Sequence, residues 1–204
     1  QMLDHFGIPV PKTVVVEDPS LLEEAAAEFK FPVIVKSIYG THGRGVFLAE
    51  SRRSLAPIVE YLTVKERGPA SVQEYIKEAK GKDLRVFVLG NSICATMERV
   101  AKSGEFRANF HKGGTVQVAD LSVEERKVSK RAAKVLGLDI AGVDILRTKT
   151  GPKIIEVNSN PGLEGISKAS GVDVAAKIVD FAEKRVKRYG EKRKRPLPKK
   201  KMHE

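Results

Sequence analysis

Residues 84–89 and 92–99 form two apolar-rich runs separated only by Gly90-Asn91, and that short connection limits the fold more than any other feature. Gly and Asn accept the positive φ angles of a tight turn, so the two runs return on one another as a β-hairpin. Residues 140–146 and 153–157 flank Lys149-Thr150-Gly151-Pro152 and predict two further strands. Between these pairs, Ser122 and Glu125 form a capping box. Val128, Ala132, Val135 and Leu136 then share one helical face, with Gly137 placed as the C-terminal stop.

Upstream, Asp18-Pro19 reads as an N-cap followed by proline at the first helical position. Leu21, Leu22, Ala25, Ala26 and Phe29 recur at helical spacing over about three turns until Pro32. Residues 33–35 and 46–48 are short β-branched or apolar runs on either side of Gly40-Thr41-His42-Gly43-Arg44-Gly45, giving strand, glycine-rich loop, strand. Residues 52–62 read as a helix, 70–76 as a strand and about 172–187 as a last helix.

With 204 residues the chain can bury a sizeable core without disulfides. Its apolar runs are too short to span a bilayer, and no secretory signal is visible. Cys94 stands alone in a strand-like run, which predicts a buried structural thiol and a reducing, cytoplasmic setting. The net charge of +11 resembles a nucleic-acid signature until it is located: residues 185–204 hold ten Lys or Arg against Glu191 and Glu204. With Pro196 and Pro198 and no apolar periodicity, residues 186–204 are expected to form a basic, disordered tail able to make weak RNA contact.

Side chains alternate along the 140–146 strand, so Gly142 and Asp144 point away from Ala141, Val143 and Ile145. On the next strand Ile155 and Val157 share one face, and Glu156 and Asn158 the other. If the hairpin is centred near Thr150, Asp144 lies beside Glu156. Like charges across a ladder destabilise it, and a divalent cation between them resolves the conflict. Asp144, Glu156 and the Asn158 amide are oxygen ligands suited to Mg²⁺ or Mn²⁺. The alternative is a pair of carboxylates facing solvent at a sheet edge. Gly40, Gly43 and Gly45 likewise admit two readings, an anion-binding nest with Lys36 just before it or an ordinary turn cluster. The loop lacks the Gly-Lys-Ser/Thr ending of a Walker motif and leads into a strand, which argues against a dinucleotide fingerprint.

Taken in order, Pro32-Val33-Ile34-Val35-Lys36, the glycine loop, Gln73-Glu74-Tyr75-Ile76, Gly81-Lys82-Asp83-Leu84-Arg85, Phe106-Arg107-Ala108-Asn109, residues 141–146 and residues 156–165 resemble RimK-type ATP-grasp ligases over roughly residues 1–185. The resemblance implies an α+β, ATP-grasp fold with two α+β lobes enclosing the nucleotide. The smaller lobe is expected at about 12–72 and the larger, metal-bearing lobe at about 73–185. The N-terminal domain that normally precedes this region is expected to be absent from the chain. Position by position, the resemblance assigns Lys36 to the phosphates, Glu74 and Tyr75 to the adenine side and Asp83 to the ribose. Arg107 and Asn109 fall where the family contacts phosphates and the acyl group, with Lys36 and Arg107 catalytic. Asp144, Glu156 and Asn158 fall on the ligands of two Mg²⁺ or Mn²⁺.

The implied activity is an ATP-dependent carboxylate–amine ligase working through an acyl phosphate. Its expected substrates are ATP, an amino acid, glutamate first among candidates, and a carboxylate acceptor such as the C-terminus of a ribosomal protein. Two other readings stay open: ligation of an amino acid to a small cofactor or carrier, and a non-catalytic nucleotide- or RNA-binding module using His111, Lys112 and the tail. Homo-oligomerisation is compatible with all three.

Overall fold

The computed structural model describes residues 1–39, 45–79, 81–102 and 114–194. A four-stranded antiparallel sheet comprises β1 (Thr13–Val16), β2 (Val33–Ser37), β3 (Val46–Ala49) and β4 (Ala70–Glu74), in the order β1-β4-β2-β3. Val16, Val33, Val35, Ala49, Ala70 and Val72 bury one side of it against Ala25 and Ala26 of α2 (Leu22–Ala27) and Leu55 and Val59 of α3 (Arg52–Glu60). Asp18 caps a short 3₁₀ turn at Pro19–Leu21, accepting from Ser20 N–H at 2.8 Å. The helix that follows is shorter than the spacing predicts. Glu28 and Phe29 already bond three residues back, and Pro32 pushes Phe31 out of the helical region, so no further turn forms.

The second sheet has β5 (Lys82–Leu89), β6 (Ser92–Val100), β7 (Thr115–Val118), β8 (Ile140–Thr148) and β9 (Gly151–Asn158), all antiparallel, in the order β7-β6-β5-β8-β9. Both predicted hairpins are present in it. Leu84, Val86, Val88, Ala141, Val143, Ile145 and Ile154 turn one face toward α4 (Val123–Val135), where Val128, Ala132 and Ala133 complete the core. Ile8, just after α1 (Met2–His5), packs into the same core. Ser122 and Glu125 do form the capping box. Glu125 N–H donates to Ser122 Oγ at 3.1 Å, and Ser122 N–H donates to Glu125 Oε2 at 2.8 Å. Gly137 follows the helix with φ +68°, a left-handed stop that costs glycine little.

On the other face, Phe87, Leu89, Ala95 and Met97 lie under Ile166 of α5 (Glu164–Ser170) and Val174 of α6 (Val174–Lys194). Strand alternation carries that face onward to Asp83, Arg85, Arg99 and Asp144. One end of the face is therefore apolar and covered by helices, and the other is ionic.

The helix expected to end near 187 continues to Lys194, so residues 186–194 are not a disordered tail; residues 195–204 lie outside the described residues. Lys, Arg and Glu are good helix formers, Glu183 precedes Lys187 by one turn, and the first proline comes only at 196. Arg185 also pairs with Asp139 at 2.7 Å. Strands β1 and β7 and helices α1 and α5 were not foreseen. All are seven residues or shorter, and they draw their order from packing against neighbours more than from a pattern of their own.

Candidate functional site

The β8–β9 register places Asp144 opposite Glu156 and Gly142 opposite Asn158, as the centred hairpin predicts. The route to that register differs. The turn is two residues, Lys149-Thr150, and pairs Ile145 with Ile154. A bulge then adds Ile155 to β9 and brings Glu156 opposite Asp144. It also changes which side chains share a face: Ile154 and Val157 meet the α4 core, whereas Ile155 does not. Glu156 is exposed, Asn158 is half-buried and Asp144 is 1% exposed.

Asp144 does not wait for a metal to balance its charge. Arg85, opposite it on β5, donates from Nε to Oδ1 and from Nη2 to Oδ2, each at 2.6 Å. Arg99 donates from Nη2 to the same Oδ2 at 2.7 Å. Arg99 also clasps Asp83, from Nε to Oδ1 at 2.5 Å and from Nη2 to Oδ2 at 2.9 Å. Two carboxylates and two guanidiniums thus alternate in a buried, formally neutral chain. Burial works to raise the Asp144 carboxyl, but Arg99 and Arg85 outweigh it and hold the group below the ordinary carboxylate range. Asp83 is pushed up to about 6, chiefly by burial and further by Asp144, against the pull of Arg99. Burial opposes the charge on Arg99, yet Asp144 and Asp83 keep it firmly protonated.

Lys36 lies on the smaller sheet, within electrostatic reach of Asp144. Its Nζ donates to Gln73 Oε1 at 2.8 Å. Burial lowers its pKa, and the charges of Glu156 and Asp144 partly restore it. Gln73 is held in turn by donating to Thr13 Oγ1 at 2.9 Å. Gly45 sits at φ +70° with its carbonyl accepting from Ser37 N–H at 2.9 Å, at the end of β2. Gly40 and Gly43 of that loop lie outside the described residues, as do Arg107, Asn109, His111 and Lys112.

Glu74 and Tyr75 line a cavity of about 350 Å³ together with Ile76, Lys77, Glu78, Thr148, Thr150 and Lys153, within the size range of small-ligand pockets. Lys153 Nζ pairs with Glu74, which also accepts from Lys12 N–H at 3.0 Å. Asp83 is absent from the cavity lining. Both its oxygens accept from Arg99 and it is 9% exposed, so a ribose hydroxyl would have to use a remaining lone pair.

The structure therefore brings Lys36, Asp144 and Glu156 within electrostatic reach of one another and puts Glu74 and Tyr75 on one cavity. Arg85, Arg99 and Lys153 are the functional candidates that sequence reasoning missed. Arg85 and Asp83 share a strand face by simple alternation, a signal that was available. The pairing of β5 with β8 was not, because more than fifty residues separate Arg85 from Asp144.

The chain matches the model of the RimK-like ATP-grasp domain over residues 1–182. It is 47% identical over 199 residues to the probable alpha-L-glutamate ligase 2 of Shewanella denitrificans, covering 95% of this chain and 64% of that protein. It is 46% identical over 189 residues to the probable alpha-L-glutamate ligase of Vibrio parahaemolyticus, covering 92% and 62%. The chain thus spans somewhat less than two thirds of the length of these relatives. Among solved structures it resembles a RimK domain ATP-grasp protein from Sphaerobacter thermophilus, with TM-score 0.66 and 26% identity over 88% of this chain and 64% of that one. It also resembles the ATP-grasp ligase PsnB in complex with precursor peptide PsnA2 and AMPPNP, with TM-score 0.68 and 25% identity over 88% of this chain and 54% of that one. D-alanine–D-alanine ligase from Bacillus anthracis shares the fold at TM-score 0.71 and 21% identity, over 94% of this chain and 65% of that one. Two antiparallel sheets carrying a lysine on one and a carboxylate hairpin on the other, matched by the family model along nearly the whole chain, place this protein in the RimK-like ATP-grasp family.

Proposed function

We propose that the chain is the nucleotide-binding and catalytic part of an ATP-dependent carboxylate–amine ligase that adds L-glutamate to a peptide or protein C-terminus, a ribosomal protein among the acceptors that fit. The observation that supports this is that Lys36 of the smaller sheet lies within electrostatic reach of the Asp144 and Glu156 hairpin of the larger one and donates to Gln73, the residue before Glu74 and Tyr75 of the cavity. The names of the glutamate-ligase relatives support the amino acid. The peptide in the PsnB complex supports a peptide-like acceptor over a small cofactor.

The side chains fit the groups this chemistry requires. Asp144, Glu156 and Asn158 offer only oxygen donors, and among the described residues no cluster of three His, Cys, Asp or Glu forms a rival site. One or two Mg²⁺ or Mn²⁺ held there would neutralise charge on the phosphates during transfer. In this reading Tyr75, just past the end of β4, would offer its backbone groups to an adenine edge, since Glu74 N–H is already given to the Lys12 carbonyl at 2.9 Å. Lys36 supplies a positive charge to the phosphates, and its lowered pKa reflects how little water surrounds it. Gly40, Gly43 and Gly45, with Arg107 and Asn109, complete the phosphate and acyl contacts in this reading.

The acceptor carboxylate attacks the γ-phosphorus and ADP leaves. The glutamate amine then attacks the acyl phosphate and phosphate leaves. A carboxylate needs no base for its attack, so the protein's work is alignment and charge neutralisation. A cytoplasmic setting and a weak RNA contact through the basic C-terminal residues belong to the same reading.

The test is mass spectrometry of acceptor peptides incubated with the protein, ATP, Mg²⁺ and L-glutamate. The expected result is one added glutamyl unit per ADP released, lost in Glu156→Ala. ADP release with glutamate joined only to small-molecule acceptors would overturn the peptide reading, and no nucleotide binding at all would overturn the ligase reading.

A further inference from the structure

We propose that Arg85 is a positioning residue that occupies Asp144 in place of the cation and so makes the site take up metal together with a phosphate-bearing ligand rather than metal alone. The proposal rests on the metal-site reading above. Its observation is the geometry of the carboxylate: both Asp144 oxygens are taken by the fork of Arg85, at 2.6 Å each, and Oδ2 by Arg99 as well. Asp144 is 1% exposed, and its neighbours at these distances are guanidinium donors.

A divalent ion arriving alone meets a carboxylate whose two oxygens are already taken by guanidinium donors. Lys36 adds a third charge within electrostatic reach. Arg85, Arg99 and Lys36 balance Asp83, Asp144 and Glu156 in formal charge, so no net attraction draws in a lone ion, which could reach Asp144 only by displacing donors of Arg85 and leaving them unpaired. The balance reverses when the ion arrives with phosphate oxygens. Asp144 can turn lone pairs to the metal, and the N–H groups it releases on Arg85 have anionic oxygens as new acceptors, so no buried donor is left unpaired.

Arg99 is less free to make this exchange because Asp83 holds it through two contacts. Arg85 has Asp144 as its sole carboxylate among the described residues, with its side chain 13% exposed against 8% for Arg99. Arg85 is therefore the arm that moves, and the Asp83–Arg99 pair is the post that keeps Asp144 in place while it does. Arg85 passes beside Gly142, its Cδ lying 3.7 Å from a Cβ built there, an ordinary contact distance.

The inference has a sign that a purely structural role does not share. Loss of a structural arginine weakens metal binding, whereas loss of a competing cation strengthens it. The experiment titrates the chain with Mn²⁺ and reads free Mn²⁺ by electron paramagnetic resonance, without nucleotide and with saturating ADP. Wild type, Arg85→Met, Arg85→Lys and Glu156→Ala are compared, with circular dichroism confirming the fold of each. Wild type is expected to bind Mn²⁺ weakly alone and more tightly with ADP.

Arg85→Met should bind Mn²⁺ alone on the order of tenfold more tightly than wild type, with the gain from ADP correspondingly reduced. Arg85→Lys keeps the charge and loses the two-pronged grip, so it should fall between them. This milder variant carries the test if Arg85→Met does not fold. Unchanged or weaker Mn²⁺ binding by both variants, with Glu156-dependent binding in wild type plus ADP intact, would overturn the role of Arg85 and leave the metal site standing. Absence of Glu156-dependent Mn²⁺ binding in wild type plus ADP would overturn the metal site and this proposal together.

Discussion

Gly142→Ala isolates the contact between the acid-bearing strand and the segment that follows Asn158. A Cβ built at Gly142 lies 2.6 Å from Pro161 Cβ and 3.3 Å from its Cγ, and Gly142 does not occupy a positive-φ conformation, so the whole effect is steric. Ordinary contact begins near 3.4 Å; the buried proline ring must therefore retreat by about 0.8 Å, and a ring has no rotamer through which to escape. Overpacking of this kind costs about 1–3 kcal/mol, which for a chain of this size lowers Tm by roughly 2–12 °C. Gly162→Ala is the control: the next residue along has nothing within 4 Å of its built Cβ, and its change should stay within about 0.5 kcal/mol. Differential scanning calorimetry of the two variants reads the difference directly. A further effect separates this site from an ordinary tight spot. Moving Pro161 drags Asn158, three residues before it, so the rise in Tm produced by Mg²⁺-ADP should shrink in Gly142→Ala. Equal melting of the two variants would refute the close packing of Pro161 on β8.

Lys36→Met should weaken ADP binding in calorimetric titration by tenfold or so, whereas Lys187→Met, on the exposed side of α6, should leave it unchanged; equal losses would remove Lys36 from the site. Glu156→Ala should melt close to the wild-type temperature without ligand, since Glu156 is exposed and Arg85 and Arg99 already balance Asp144, and should lose the added stabilisation by Mg²⁺-ADP; stabilisation equal to wild type would contradict the metal assignment. Arg147→Met tests the α4 capping box, where Arg147 Nε donates to Glu125 Oε1 at 2.7 Å. Burial tends to raise Glu125, but Arg147 and Ser122 hold it below the ordinary carboxylate range, so its contribution is present at neutral pH and is lost as pH falls through the lowered folded value. Because Arg147 is half exposed, the cost at pH 7 should be only about 1 kcal/mol. The gap between variant and wild type in urea denaturation should narrow as pH falls below the ordinary carboxylate range, and a gap unchanged down to the most acidic pH at which both still fold would rule out the pairing. Removing residues 195–204 should leave melting unaltered and reduce retention of the chain on RNA at low salt, with no difference at high salt; equal retention would rule out the RNA contact.

What was legible in the sequence was local. The two-residue turn at Gly90-Asn91, the Ser122 and Glu125 capping box, the stop at Gly137 and the strands flanking the glycine loop each depend on residues a few positions apart, and each is present. The site was less legible because two bulges decide which side chains meet. A strict two-residue turn at Gly90-Asn91 would put Asp83 opposite Glu98. The extra residue Cys94 on β6 shifts the pairing by one and brings Arg99 there instead. A strict turn at Lys149-Thr150 would likewise put Asp144 opposite Ile155, and the second bulge brings Glu156. A one-residue shift in register exchanges the two faces of a strand, so turn length alone cannot assign either ionic pair.

From sequence, the facing carboxylates Asp144 and Glu156 demanded a positive partner, and a divalent ion seemed the way to supply one. The protein supplies guanidiniums instead, from β5 and β6, strands that no short-range pattern ties to β8. Repulsion between carboxylates therefore does not by itself require a metal; it requires a cation, and here the chain provides one, which a metal would have to replace in the proposed site. A site built this way is stable without its ligand and yet keeps Asp144 ionised and aimed. Binding then becomes an exchange of partners between arginine and metal, in place of the filling of a strained vacancy. Such an exchange would favour an ion which brings its own anions, and Lys36, near the end of β2 in the neighbouring sheet, would help to receive them.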